Sequence, residues 1–171
     1  MVTGHIRHII YLSEAAFLAE HPRASAAVIS ITEPSRLAPV PEGWGAVLRV
    51  QFMDAEFDTA MLERLAARGR ALQLNAKGYP CRTRCAPILA FLDQLADDAS
   101  ITELVVHCHA GQRRSASVAK FAAERFGIRG VGEHGFNRTV YALLQDPSCF
   151  DHLDSNTRRP RLINRIARLF R

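Results

Sequence analysis

The residues best suited to chemistry lie in one short stretch, "HCHAGQRRS", over residues 107–115. The apolar run "TELVVHC" (102–108) ends at Cys108, and a loop containing Gly111 separates that cysteine from Arg114. We predict a buried strand, a short loop and a helix N-terminus, in that order. Such a loop can point successive backbone N–H groups at one spot, where the helix end adds positive potential. The stretch therefore predicts a site for a tetrahedral anion such as phosphate.

The arginine and the cysteine of this stretch together predict a reaction. The planar guanidinium of Arg114 can hold two phosphate oxygens at once. The positive potential that attracts phosphate also favours the thiolate form of a nearby cysteine. Cys108 would then be a nucleophile aimed at the bound phosphorus. We therefore expect cleavage of a phosphate ester through a covalent phosphocysteine, with the loop stabilising charge in the transition state.

Other interpretations of the stretch are weaker. A structural cysteine would not need the glycine and the arginines that follow it, and a nucleotide-binding loop would need Gly-Lys-Ser/Thr. A zinc site is open in principle, but a Cys-x-x-x-Cys pair alone is a weak signal. We expect neither metal nor cofactor, because a thiolate and backbone amides can supply the chemistry. The candidate zinc ligands are Cys81, Cys85, His107, Cys108 and His109.

The stretch resembles the His-Cys-x5-Arg-Ser/Thr motif of cysteine-dependent protein tyrosine phosphatases, in the form found in dual-specificity-like members. Outside the motif the resemblance is one of element order, over about residues 26–146. It implies that Cys108 is the nucleophile and that Arg114 binds phosphate. It also implies that Ser115 assists breakdown of the phosphocysteine and that His107 tunes the thiol from behind. The substrate-binding face of the loop would consist of His109, Ala110, Gly111, Gln112, Arg113 and Arg114.

The resemblance implies a protein phosphatase acting on phosphotyrosine, with phosphoserine and phosphothreonine left open. Its partner would be a phosphorylated protein or peptide. The loop has no lysine, which does not favour phosphoinositides. Two alternatives stay open: a phosphatase for non-protein phosphate esters, and a catalytically weak phosphate-binding pseudophosphatase. Sulfur transfer and arsenate reduction on a similar loop are disfavoured by His107, Ser115 and an acid upstream.

The leaving oxygen needs a proton, and a carboxylic acid can supply it. Ligands of open parallel sheets lie at the C-terminal ends of the strands, so the acid should follow a strand as Cys108 does. Asp54 follows the predicted strand 46–52 by two residues, and the mobile acid loop of the resembled family follows the corresponding strand. Glu56 and Asp58 are rivals, although Asp58 can also cap a helix. We predict Asp54 as the acid, with Asp58 as the first alternative.

Short apolar runs alternate with helical patterns along the chain, which is typical of βαβ units. We predict an α/β fold with three layers (αβα): a mostly parallel sheet of about four to five strands with helices on both faces. Predicted strands cover residues 5–12, 26–32, 46–52 and 102–108, and predicted helices cover 14–20, 59–68, 86–99, 114–126 and 137–146.

The stretch over residues 70–85 has no clean period, and we predict a long loop or insertion there. It makes the interval between the acid and Cys108 longer than in compact dual-specificity members. Its cations are either solvated or part of a flap that contacts an acidic phosphopeptide. A cysteine of this stretch, Cys81 or Cys85, is a candidate partner for oxidised Cys108. The cations are Lys77, Arg82 and Arg84.

The charge of the chain is concentrated in its tail. The 171 residues carry 22 basic and 17 acidic side chains, a net charge of +5, and residues 158–171 hold six arginines and no acid. The rest is near neutrality, so we expect no nucleic-acid partner. We predict one domain over residues 1–157 and a basic amphipathic helix over 158–171. That helix either packs on the domain or binds a membrane surface or an acidic partner.

Localisation is predicted from what the sequence lacks. No apolar stretch is long enough to span a membrane, and the first residues do not resemble a signal peptide. Four cysteines in such a chain favour reduced thiols. We therefore expect a cytoplasmic protein.

Overall fold

The computed structural model describes residues 5–69 and 72–151. Within these residues, the chain forms four strands and five helices. The strands are β1 (His8–Ser13), β2 (Ala26–Thr32), β3 (Ala46–Gln51) and β4 (Glu103–Cys108). The helices are α1 (Glu14–Leu18), α2 (Thr59–Ala67), α3 (Arg82–Asp97), α4 (Arg114–Phe126) and α5 (Arg138–Gln145).

The four strands form one parallel sheet in the order β1-β4-β2-β3. Every residue of β2 is buried, and so is β4 from its second residue onward, as the near-continuous apolar runs predict. Because all strands run the same way, their C-terminal ends lie along one edge of the sheet. Cys108 stands at that edge in register with Ser13 of β1, and the segments that follow β2 and β3 emerge beside it.

The larger core lies on the sheet face that α3, α4 and α5 cover. The side chains of Ile29 and Val106 point to that face and are buried against apolar residues of the three helices. Each helix supplies an apolar stripe because its buried residues recur at helical spacing. Examples of these buried helix residues are Leu92, Val118 and Leu143.

A smaller core lies on the opposite sheet face. It is built from Val28 and Val105 of the central strands, Phe17 of α1 and Trp44 of the segment before β3. The rings of Phe17 and Trp44 stack with centroids 5.6 Å apart. Helices therefore cover both faces of a parallel sheet, and the predicted three-layer α/β class is confirmed.

Local capping signals explain where several helices begin and end. Ser13 Oγ accepts a hydrogen bond from Ala16 N at 3.1 Å and so caps α1. Asp58 Oδ1 accepts from the backbone N–H of Ala60 at 3.0 Å and thereby supports the first turn of α2. Gly127 ends α4 with φ at 73°, a conformation that favours glycine. These signals depend on neighbouring residues alone, which is why the sequence predicts them.

The predicted loop over residues 70–85 is wrong in its last part. Helix α3 begins at Arg82, four residues before the predicted start at residue 86, and contains Pro87. The prediction followed the apolar pattern, which is clear from residue 86 onward, and a proline lacks the N–H that an interior helical residue donates. In the structure Pro87 lies in the second turn, and helical packing of residues such as Cys85 against the core outweighs the lost bond.

Strand β1 also differs from its predicted range. It begins at His8 and not at residue 5, and it ends at Ser13.

Over residues 5–69 and 72–151 no helix has the length and apolar character needed to cross a membrane. The predicted helix over residues 158–171 lies outside the described residues, so its role remains a prediction.

Candidate active site

The predicted strand, loop and helix N-terminus are present around Cys108. Strand β4 ends at Cys108, residues 109–113 form the loop, and α4 begins at Arg114. We call residues 109–113 the catalytic loop. Cys108 is 2% exposed, and its Sγ lies 3.2 Å from Oγ of Ser115. Among the described residues no side chain caps α4, so the first amides of this helix are left for an anionic ligand.

Arg114 follows this loop, and its cationic side chain lies in the protein interior. Its side chain is almost fully buried, and Nη1 donates to the carbonyl oxygen of Phe52 at 2.9 Å. Nη2 forms an ion pair with Glu33. The third donor, Nε, is buried without a hydrogen-bond partner in the described part of the chain. A buried donor without a partner is costly, and a bound phosphate oxygen would remove that cost.

Glu33 orients Arg114 and was not found from the sequence. Partial burial by itself raises the pKa of Glu33, but its own backbone N–H, the hydrogen bond from Arg114 and the charge of Arg36 outweigh burial and lower it. The carboxylate is therefore ionised at neutral pH and holds one arm of the guanidinium. The signal available in the sequence is that Glu33 directly follows β2, as Asp54 follows β3.

Gly111 is required where the catalytic loop passes the start of α1. Its φ is +68°, and a Cβ at this position would lie 2.2 Å from the backbone nitrogen of Ser13. The backbone N–H of Glu14 also donates to the carbonyl oxygen of His109 at 3.3 Å. The loop is thus packed against the β1–α1 junction. Only a residue without a side chain permits this close approach.

His107 lies on the sheet face opposite to Cys108, because consecutive strand residues point to opposite sides. Its ring stacks on Phe17 of α1 with centroids 4.0 Å apart. Burial lowers the pKa of His107 to about 4, with the Glu14 charge opposing this effect. The imidazole is therefore neutral at pH 7 and contacts α1. Its influence on the thiol would pass through the backbone of β4, and the tuning role remains a prediction.

The other predicted substrate-binding positions lie on the rim. His109, Ala110 and Gln112 are exposed, which agrees with the predicted outer face of the loop. Nδ1 of His109 lies 3.9 Å from a carboxylate oxygen of Glu14. The side chain of Arg113 turns toward the residues that follow β3. The loop therefore presents its backbone to the anion and its side chains to whatever surrounds the phosphate.

The predicted acid reaches the catalytic loop. Oδ1 of Asp54 accepts a hydrogen bond from Nδ2 of Asn137 at 2.8 Å and lies 3.3 Å from Nε of Arg113. Glu56 also contacts Arg113, at 2.7 Å from Nη2. Asp58 instead caps α2, as its sequence position predicts. The geometry therefore favours Asp54 over Asp58, with Glu56 as a second carboxylate at the loop.

Asn137 joins the acid to the rest of the site and was missed by sequence reasoning, which made it the first residue of a helix. It is fully buried, and its Oδ1 accepts from Val140 N at 3.0 Å, so it caps α5. Its Nδ2 donates both to Asp54 and to the carbonyl oxygen of Ala55. Its backbone N–H donates to Oγ of Ser117, one turn into α4, at 2.8 Å. An asparagine at the first position of a predicted helix, close to where a capping residue is common, is the signal that the sequence offers.

Substitutions of Asn137 should distinguish its two roles, which are to cap α5 and to hold Asp54 in place. We expect Asn137→Ala to lower the free energy of unfolding by about 1–3 kcal/mol, since a buried cap and its hydrogen bonds are lost. We expect kcat for an aryl phosphate to fall about tenfold in the same variant. Asn137→Ser is the matched control because serine also caps helices but lacks the amide that holds Asp54. Denaturant unfolding and steady-state kinetics measure both effects, and a Ser variant with full kcat would contradict the placement role.

Two cations of the predicted flap have structural partners. Arg84 donates to the carbonyl oxygens of Gln51 at 2.6 Å and Asn75 at 2.8 Å. Arg82 pairs with Asp151 at 2.6 Å. Arg84 therefore fastens the chain beside the end of β3, and it is not available to a substrate in this conformation.

Cys85, one of the two candidate redox partners of Cys108, lies in the same region. Cys85 is fully buried, and burial, with a contribution from Cys81, raises the pKa of Cys85 to about 12. A thiol of this kind stays protonated at neutral pH and attacks an oxidised sulfur poorly. The structure therefore disfavours Cys85 as a resolving residue. The described residues also contain no group of three or more His, Cys, Asp or Glu side chains placed to hold a metal ion, so no three of the candidate zinc ligands are brought together in such an arrangement.

Comparison with known proteins gives no further information on the site. No protein family, no curated protein and no solved structure matches this chain.

Proposed function

We propose that this protein is a cysteine-dependent phosphatase that hydrolyses phosphotyrosine, and also phosphoserine or phosphothreonine where they fit, in phosphorylated proteins or peptides. The main support is the buried guanidinium of Arg114, whose Nε has no partner among the described residues. Arg114 is the first residue of α4, and the five-residue catalytic loop joins it to Cys108 at the end of β4. An anion with several oxygens, delivered to that loop, would satisfy the guanidinium and meet the sulfur.

The first chemical step forms a bond between Cys108 Sγ and phosphorus and breaks the bond from phosphorus to the leaving oxygen. The amides of the catalytic loop and Arg114 bind the non-bridging oxygens as charge develops on them. Asp54 donates its proton to the leaving oxygen, which departs as a neutral alcohol or phenol. The products of this step are the phosphocysteine and the Asp54 carboxylate.

The second step hydrolyses the phosphocysteine. The Asp54 carboxylate takes a proton from a water molecule, and the water oxygen attacks phosphorus. The bond between phosphorus and sulfur breaks, and inorganic phosphate leaves. The hydroxyl of Ser115, 3.2 Å from Cys108 Sγ, can donate a hydrogen bond to the departing thiolate. Because the Cys108 thiol must remain reduced between turnovers, we propose that the reaction takes place in the cytoplasm.

Trapping the intermediate tests the proposal. We expect wild type to turn over a generic aryl phosphate without added metal, and Ser115→Ala to slow the second step about 10–100-fold, the worth of a hydrogen bond to a charged atom. Phosphocysteine should then accumulate and be found on Cys108 by peptide mass mapping after a rapid acid quench.

Three other outcomes would contradict the proposed mechanism. Turnover that stops on chelation would overturn the thiolate mechanism. Binding of a phosphopeptide without any turnover would identify a pseudophosphatase. Phosphate attached to a different residue would place the nucleophile elsewhere.

A further inference from the structure

One side chain of the catalytic loop makes contacts that the reaction scheme does not use. Arg113 extends from the loop to the residues after β3, which we call the acid segment (residues 53–58). Its Nε lies 3.3 Å from Oδ1 of Asp54, and its Nη2 lies 2.7 Å from Oε2 of Glu56. Among the described residues, these are the two side-chain ion pairs between the catalytic loop and the acid segment.

We propose that Arg113 and Glu56 form a latch that holds the acid segment against the catalytic loop and so places Asp54 at the leaving oxygen. This inference rests on the proposed function, since it assumes that Asp54 is the acid. Arg113 and Glu56 are then positioning residues, which act on the reaction through Asp54.

Glu56 is the closer of the two ion-pair partners of Arg113. The contact between Arg113 and Glu56 is the shorter of the two, and Oε2 of Glu56 also accepts from the backbone N–H of Arg138 at 3.4 Å. The Arg138 guanidinium lies 3.9 Å from the other oxygen, Oε1. Glu56 thus lies between Arg113 of the catalytic loop and Arg138, the first residue of α5. The latch therefore connects the catalytic loop, through the acid segment, to the start of a helix whose apolar residues pack in the core.

The contacts of Asp54 leave one of its oxygens available. Oδ1 receives both donors, from Asn137 and Arg113, whereas Oδ2 accepts no hydrogen bond from the described part of the chain. In a neutral carboxylic acid the carbonyl oxygen accepts hydrogen bonds and the hydroxyl oxygen donates its proton. Pinning Oδ1 therefore leaves Oδ2 to carry the proton toward the leaving oxygen.

The acid segment needs such a latch because it has no regular secondary structure. Its backbone is tied at Met53, whose N–H donates to the carbonyl oxygen of Gly78 at 2.8 Å. It is tied again at Phe57, whose N–H donates to Oγ1 of Thr139 at 2.7 Å. A third tie is the hydrogen bond from Asn137 Nδ2 to the carbonyl oxygen of Ala55 at 3.0 Å. Among the described residues, only the pairs of Arg113 join the acid segment directly to the catalytic loop. The side chain of Arg113 is about half exposed, so its pairs are open to screening by salt.

Hydrogen exchange tests the latch without reference to activity. We expect the hydrogen-bonded backbone amides of the acid segment, those of Met53 and Phe57, to exchange several-fold faster in Arg113→Ala than in wild type, and faster to a smaller extent in Glu56→Gln. Arg125→Ala is the matched control, because Arg125 forms an ion pair with Asp93 at the far end of α4. Exchange in the acid segment that is the same in Arg113→Ala, Arg125→Ala and wild type would overturn the latch.

A series of aryl phosphates distinguishes acid placement from phosphate binding. A leaving group of high pKa needs the proton from Asp54, and one of low pKa leaves without it. We expect Arg113→Ala to lower kcat about tenfold for phenyl phosphate and less than about twofold for a fluorinated coumarin phosphate. The kcat of Arg113→Lys for phenyl phosphate should lie between that of wild type and that of Arg113→Ala, because one ammonium cannot bridge two carboxylates as the guanidinium does.

An equal loss across the series would show that Arg113 binds the phosphate instead, and would overturn the latch. Raising the sodium chloride concentration from low to about 1 M should reproduce part of the effect in wild type and none of it in Arg113→Ala. If wild type hydrolyses none of these esters, the proposed function fails, whereas the exchange measurement still decides whether Arg113 holds the acid segment.

Discussion

Cys108→Ser should abolish turnover of aryl phosphates, with kcat reduced by at least about 10⁴-fold, the scale seen when an enzyme nucleophile is removed. A serine hydroxyl is a much weaker nucleophile than a cysteine sulfur, and no base is placed beside position 108 in the proposed mechanism to activate it. The side chain at position 108 is buried, and serine is the smaller of the two residues. The fold and the anion cradle should therefore survive the substitution.

Phosphate binding separates loss of chemistry from loss of the site. Inorganic phosphate should bind Cys108→Ser and wild type with similar affinity in a calorimetric titration. Cys149→Ser is the matched control, since Cys149 is only half-buried and lies beyond α5. That variant should keep wild-type kcat. Substantial turnover by Cys108→Ser would show that another group attacks phosphorus and would remove the proposed mechanism.

Asp54→Asn should lower kcat by about 10²–10⁴-fold, the range expected when a general acid is removed. The substitution preserves shape and leaves an oxygen that can still accept hydrogen bonds from Asn137 and Arg113. It removes the proton that the leaving oxygen needs and the base that activates water. The loss should grow with the pKa of the leaving group, so phenyl phosphate should suffer most and activated esters least.

Asp58, the alternative candidate for the acid, is the matched comparison for Asp54. Asn caps helices about as well as Asp, so Asp58→Asn should preserve α2 and retain nearly full kcat. Thermal unfolding of both variants checks that neither effect comes from lost stability. Full activity of Asp54→Asn together with a strong loss in Asp58→Asn would reverse the assignment of the acid.

The fold class could be predicted because its signals are local. Strand β2 and helix α4 have the predicted bounds, since a continuous apolar run and a capped amphipathic stretch each depend on adjacent residues. The start of α3 was predicted wrongly, because the local effect of Pro87 is opposed by burial of the turn before it. The order of the strands in the sheet was not part of the prediction at all.

The sequence by itself determined the reactive core of the site. Cys108, Gly111 and Arg114 lie within seven consecutive residues, and the geometry of one strand, one loop and one helix start sets their relative positions. Chain connectivity alone keeps such residues together, so their spacing is enough to predict the anion cradle.

Only the tertiary structure decided what surrounds that core. Glu33 lies 81 positions from Arg114, and Asn137 lies 83 positions from Asp54. The latch between Arg113 and Glu56 spans 57 positions. These pairs meet because the parallel sheet, in the order β1-β4-β2-β3, brings the ends of its strands to one edge. No local pattern encodes such contacts, since they depend on which strands are neighbours and on how the helices pack over them.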